Sequence, residues 1–285
     1  MRPLTLRTIL VAADRTPAQR SAIRTAADLA ALTDGRLHVA HAIENGRVVE
    51  AQDVLEEIRE IVADKPVDID VLVMRGPPGA VVGQEARRVG ADVVLLGPHR
   101  RDQTGTLGST ADRVVRTSAT PCLILPIELR LPLRRVLVPV DSSAGARGAL
   151  AVALTWASAL RDRRQGTRVI ALHVAAPLRN PADPHDHEAD VKALENEVDS
   201  VRNNVAGIAH VNVESVVIHE EPEGEAIVNH ADRNDIDLIV IGTRGSSMSA
   251  AAILGSTSSV VVRNTSCPVL LVPPELWIAS DDESM

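Results

Sequence analysis

The 285-residue chain has no phenylalanine and no tyrosine; Trp156 and Trp277 are its only aromatic hydrophobic residues. Proteins that hold single-stranded nucleic acid stack the bases on such rings, and this chain has almost none to offer. Its net charge of −8 also argues against a nucleic-acid or anionic-membrane surface, both of which favour basic faces. Lysine occurs only as Lys65 and Lys192, and neither stands in the Gly-Lys-Ser/Thr sequence that a P-loop requires. Two cysteines, Cys122 and Cys267, are too few for a disulfide framework or a cysteine-rich zinc site and read as buried thiols. No apolar run approaches the roughly 20 residues that span a bilayer. The opening MRPLTLRTILVAAD makes a poor signal peptide, because its short apolar run ends at an acid. The expectation is a cytoplasmic protein with no membrane contact, whose core is built from Ala, Val, Leu and Ile.

What the chain does contain is a repeat. RTILVAAD (7–14) resembles RRVLVPVD (134–141), and LHVAHA (37–42) resembles LHVAAP (172–177). GADVVLLGPHR (90–100) resembles DIDLIVIGTRG (235–245), and LGSTADRVVRTSATPCLILP (107–126) resembles LGSTSSVVVRNTSCPVLLVP (254–273). The order is preserved, so two copies of one domain fill the chain, residues 1–130 and 131–285, joined near IELRLPLR (127–134).

Each copy alternates short β-branched runs with helical patterns. In the first, strands are expected at 7–13, 36–42, 68–74, 92–96 and 122–126, and helices at 17–32, 47–63, 79–89 and 109–118. The second repeats this with a longer first helix and a polar insertion, PLRNPADPHDHEAD (177–190). The fold class is therefore α/β: two doubly wound, five-stranded parallel-sheet domains in tandem, Rossmann-like in layout. Such sheets bind ligands at the carboxyl ends of the strands, where the strand order reverses. Strand 1 ends at Asp14 or Asp141, and strand 4 at Gly97 or Gly242.

The stretch GTRGSSMSAAAILGST (242–257) lies at that end. Gly242 closes a strand, Gly245 sits in the loop, and Gly255-Ser256-Thr257 opens a helix, with Ser or Thr placed to cap it. A helix start offers unpaired N–H groups and partial positive charge, glycines let backbone approach an anion, and Ser256, Thr257 and Ser258 add hydroxyls. The stretch can wrap a polyphosphate without lysine; read alone, Gly-x-x-Gly is also an ordinary turn.

The spacing Gly242-x2-Gly245-x9-Gly255-Ser256, the acid ending strand 1, the LHV of strand 2 and the CPVLLVP ending resemble the universal stress protein family, across both halves. That resemblance implies an adenine-nucleotide alpha-hydrolase-like fold and ATP in the second half. Pro139, Val140 and Asp141 would lie by the adenosine, and Val174 would meet adenine through its backbone. Gly242, Arg244, Gly245, Gly255, Ser256, Thr257 and Ser258 would surround ribose and phosphates, with Mg²⁺ bridging the phosphates if hydrolysis occurs. It also implies an intrachain pseudo-dimer through strand 5 of each half, with a homodimer as a further assembly. An unidentified protein partner would read the nucleotide state.

The first half departs from the motif. Asp14, Gly97, Gly108, Ser109 and Thr110 remain, but Arg100 replaces the second glycine, Pro98 stiffens the loop, and the loop is shorter. This half is expected to bind nucleotide weakly or not at all. Other motifs are missing: no G-x-G-x-x-G follows strand 1, no SGG-type loop of ATP-activating enzymes occurs, and no receiver-type acid ends strand 3. His185, Asp186, His187 and Glu188 have metal-ligand chemistry but read as a solvated loop before a helix. His38 and His173 read as equivalent strand-2 histidines, buried and hydrogen-bonded. No catalytic residue and no metal ligand is assigned. Two rival readings stay open: a nucleotide-free interaction module of the same fold, and a slow ATPase.

Overall fold

The computed structural model describes residues 6–14, 16, 19–43, 51–97, 108–161, 164, 166–177, 184–244 and 254–276. In the first half the elements run β1 (Thr8–Ala13), α1 (Arg20–Thr33), β2 (Arg36–Ile43), α2 (Ala51–Ile61), β3 (Asp68–Arg75), α3 (Pro78–Val89), β4 (Val93–Leu96), α4 (Ser109–Thr117) and β5 (Cys122–Ile124). The second half runs β6 (Arg135–Pro139), α5 (Ala144–Ala159), β7 (Arg168–Ala175), α6 (Pro184–Asn204), β8 (Asn212–His219), α7 (Glu223–Arg233), β9 (Leu238–Gly242), α8 (Ser256–Asn264) and β10 (Val269–Val272).

The strands form one ten-stranded sheet in the order β3-β2-β1-β4-β5-β10-β9-β6-β7-β8. Within each half every pairing is parallel, as helical crossovers require. At the centre β5 and β10 pair antiparallel, with Leu123 opposite Leu270. Both strand-5 edges are therefore covered by each other, which removes the exposed apolar edges that would otherwise invite foreign pairing.

Side chains of each strand alternate between two apolar layers. Ile9, Val11, Val136 and Val138 join α1, α2, α5 and α6 on one face. Leu10, Ala12, Ile239 and Ile241 join α3, α4, α7 and α8 on the other. Each layer runs through both halves. Without phenylalanine or tyrosine, density comes from alanine-rich helices that lie close on the sheet: α5 buries Ala146, Ala149, Ala151, Ala153 and Ala157 together with Trp156. An α-helix buried nearly all round suits a central position in the layer.

Both halves also fix the start of strand 1 in the same way. Asp92 Oδ2 accepts from the N–H groups of Arg7 and Thr8 at 2.8 and 2.9 Å. Asp237 Oδ2 accepts from Arg134 and Arg135 at 2.9 and 3.0 Å.

The first helix of the second half is the longer one, as expected, with 16 residues in α5 against 14 in α1. Two sequence expectations need correction. Part of the polar insertion is helical, because α6 (Pro184–Asn204) contains His185 to Glu188. The second concerns register. The β1–β2 and β6–β7 ladders superpose Arg36 on Arg168, so His41, not His38, is the counterpart of His173. The LHV match of the two sequences was three residues out of step with the backbone.

Candidate nucleotide site at the strand ends

β6 ends where α5 begins, and three residues shape that corner. The Asp141 carboxylate accepts from the Ser143 N–H at 3.0 Å and from the Ser143 hydroxyl. Ser143 Oγ in turn accepts from the Ala146 N–H at 3.1 Å and caps α5. Asp141 is half-buried and held in one orientation. In the first half Asp14 binds Thr16 similarly, at 2.9 and 2.7 Å. There the acid is exposed, and α1 starts at Arg20 without a side-chain cap.

β9 meets this corner backbone to backbone. A Cβ on Gly145 would lie 2.3 Å from the Arg244 carbonyl oxygen, and one on Gly242 would lie 2.9 Å from the Gly145 carbonyl. Glycine is required at both places because the chains touch. In the first half the neighbour of Gly97 is the Gln19 amide, whose Oε1 would sit 2.4 Å from a Cβ. Gln19 is buried, and its Oε1 has no hydrogen-bond partner among the described residues.

Helix α8 starts above the end of β9. Its N-cap is Gly255, whose N–H reaches the Thr243 carbonyl at 2.8 Å, and no side chain caps the helix. Ser256 is thus the first helical residue rather than the cap expected from sequence. The first intrahelical bond is Ser259 N–H to Gly255 O, so the N–H groups of Ser256, Thr257 and Ser258 have no intrahelical acceptor. Two of the three hydroxyls are committed inside the protein. Ser258 Oγ, buried, donates to the Gly242 carbonyl at 2.7 Å, and Thr257 Oγ1 donates to Glu223 Oε2 at 2.8 Å. Ser256 is exposed. Arg244 completes the rim; its Nε is buried with no partner among the described residues.

In the first half Gly108 is the N-cap of α4 and Ser109 its first residue. That helix carries Asp112 in its first turn, bound to Arg116, whereas the first turn of α8 has no acid. A carboxylate there works against an anion at the helix start. Gly245 and Arg100, the residues that distinguish the two motifs, lie outside the described residues.

Val174 lies at the same rim. Arg168 and Leu172 turn their backbone polar groups toward β6, where Val140 N–H reaches Leu172 O at 2.8 Å. By the strand period of two, Val174 turns its N–H and C=O to that side too, past the last rung of the ladder. Val140's carbonyl oxygen lies 2.9 Å from His173 Nδ1, as Ala13's lies 2.8 Å from His41 Nδ1. Pro139 and Val140 are buried beneath this end.

Sequence reasoning missed Ser143, Gly145 and Glu223. Ser143 was open to it, since a serine three residues before a buried alanine run is an N-cap signal. Gly145 and Glu223 act through residues 99 and 34 positions away and leave no local trace. Both cysteines are buried and free, and burial pushes their thiols up to about 12. A separate groove of about 1150 Å³ opens at the amino ends of β6, β7 and β8, away from this site. Among its cations, Lys65, Arg130 and Arg168 are paired with Asp28, Asp235 and Glu214.

Two tandem, doubly wound units, each with an acid at the end of its first strand and a glycine-capped helix over its fourth, define a tandem α/β protein with a Rossmann-like layout. The model of the universal stress protein family matches residues 5–126 and 132–273, and the chain belongs to that family. A universal stress protein of Synechocystis is 32% identical over 184 residues, covering 63% of this chain. That match spans 57% of the Synechocystis protein's own length. A universal stress protein of Mycobacterium tuberculosis is 27% identical over 253 residues, covering 84% of this chain and 76% of that one. The crystal structure of a universal stress protein from Archaeoglobus fulgidus shares the fold, with a TM-score of 0.67 at 20% identity over 94% of this chain and 98% of that chain. No helix among the described residues is long and apolar enough to cross a membrane.

Proposed function

We propose that the second half binds ATP at the carboxyl ends of β6 and β9, and that occupancy sets the protein's shape or its choice of a cytoplasmic partner in a stress response. The observation that carries this reading is a buried guanidinium Nε on Arg244 with no acceptor among the described residues, next to a helix start that no side chain caps and whose first turn has no acid. Both features fit an anion, and the backbone donors do so without lysine. Asp141 would take the ribose hydroxyls, since its carboxylate is already oriented by Ser143. Val174's outward backbone pair would take the adenine edge. ATP here is a ligand whose phosphates, with Mg²⁺, would be held by Arg244, Gly245 and the first turn of α8. No general base or nucleophile is assigned beside them, so turnover is expected to be slow or absent. The first half, with Asp112 in the helix start and Gln19 against Gly97, is expected to stay empty.

Calorimetric titration with ATP and Mg²⁺ tests the reading. The wild type is expected to bind at one site, and Arg244→Ala to bind about tenfold to a hundredfold more weakly, as loss of a charged hydrogen bond of about 1.5–3 kcal/mol requires. Absence of binding in the wild type would instead favour a nucleotide-free interaction module.

A further inference from the structure

α6 brings together two histidines that the nucleotide reading does not use. Its first described turn places His187 beside His219, the last residue of β8, with His187 Nδ1 3.1 Å from His219 Nε2. The ring centroids are 5.3 Å apart and the rings inclined at 56°. His219 Nδ1 lies 3.0 Å from the Ala176 carbonyl oxygen. A carbonyl accepts only, so Nδ1 carries the proton and the lone pair of Nε2 faces His187. His187 is exposed and His219 half-buried, so the pair is open to solvent.

We propose that His187 and His219 form a two-histidine site for a divalent transition metal of the zinc class. Two imidazole nitrogens each about 2.0–2.1 Å from a tetrahedral zinc are about 3.4 Å apart. To admit the ion the nitrogens separate by a few tenths of an ångström and the rings tilt so that both lone pairs converge on it. The hydrogen bond from His219 to Ala176 is the kind of outer contact that fixes the tautomer and orientation of a metal-binding imidazole. In the metal-free pair, His187 Nδ1–H donates to His219 Nε2. Metal entry moves that proton to His187 Nε2, so both facing nitrogens become ligands and no proton is lost. Among the described residues no third His, Cys, Asp or Glu completes a cluster. The first half has Arg75 where the second has His219, and its sequence from 44 to 61 contains no histidine. The site therefore belongs to the second half alone. It does not depend on nucleotide binding.

Zn²⁺ alone, titrated into the full nucleotide-free chain in competition with a chromophoric chelator, is the test. One Zn²⁺ per chain is expected, weakened at least about tenfold by His187→Ala and by His219→Ala. His210→Ala, which removes a histidine engaged with Ser158 and Arg161, should leave it unchanged. Imidazole ¹⁵N spectra of the wild type give a readout independent of variant folding: Zn²⁺ should move the His219 Nε2 resonance. No stoichiometric binding, binding that neither variant weakens, or an unmoved Nε2 resonance would overturn the proposal.

Discussion

Ser258 Oγ donates to the carbonyl oxygen of Gly242 at 2.7 Å, tying the first turn of α8 to the last residue of β9. Its counterpart in the first half is Ala111, which has no hydroxyl to give. The serine read from sequence as a phosphate ligand thus sets the height of the helix over the strand end, and only its N–H is left for an anion. Ser258→Ala should cost about 1–3 kcal/mol, because it strands a buried acceptor. It should also weaken nucleotide binding without removing a phosphate hydroxyl. Urea denaturation of the variant checks the first effect. Unchanged stability would mean that the bond contributes nothing net.

Gly145→Ala places a methyl 2.3 Å from the Arg244 carbonyl oxygen. Backbone must shift, at a cost of about 1–3 kcal/mol. Because the shift falls on the strand–helix corner, ATP affinity should drop together with stability. Stability near wild type with intact binding would show that α5 moves away freely.

How much of this was legible in the sequence differs by element. The doubly wound halves were, because buried parallel strands write continuous apolar runs and the repeat wrote them twice. The pairing of β2 was misread by three residues, since LHV occurs in both strands while the ladder follows Arg36 and Arg168. Position 242 was legible as a glycine, but its reason, contact with Gly145, is tertiary. Ser258's inward hydroxyl was hidden in a serine-rich run, where only the geometry distinguishes a buried hydroxyl from an exposed one. The histidine pair depends on a helix start that the polar composition of residues 177–190 disguised as loop.

The seam between the halves rests on two short strands. Leu123 and Leu270 face each other across it and are fully buried. Leu270→Ala should cost about 2–5 kcal/mol. Since the two apolar layers run through both halves, the loss should lower one common unfolding transition. Calorimetry that resolves two transitions, only one of them shifted, would contradict the continuous core.

His38 and His230 are both held below the ordinary imidazole value of 6.5, first by burial, with the acids Asp70 and Glu214 or Glu220 pulling the other way. The unfolded chain therefore binds protons at these positions more readily than the folded one. Stability is fully present above about 6.5 and falls as the pH drops below it, toward the lowered folded values. A His38→Gln, His230→Gln double variant should lose less stability between pH 7 and pH 5 than the wild type does. Equal losses would remove these two groups from the acid response.

The nucleotide content of the purified protein tests the central claim most directly. The full chain is denatured, and the released nucleotide is identified by ion exchange and counted per chain, beside a Gly245→Arg variant that copies the first half's motif. About one ATP per chain in the wild type and none in the variant is the expected result. Two per chain, or none in either even after incubation with ATP and Mg²⁺, would contradict the account.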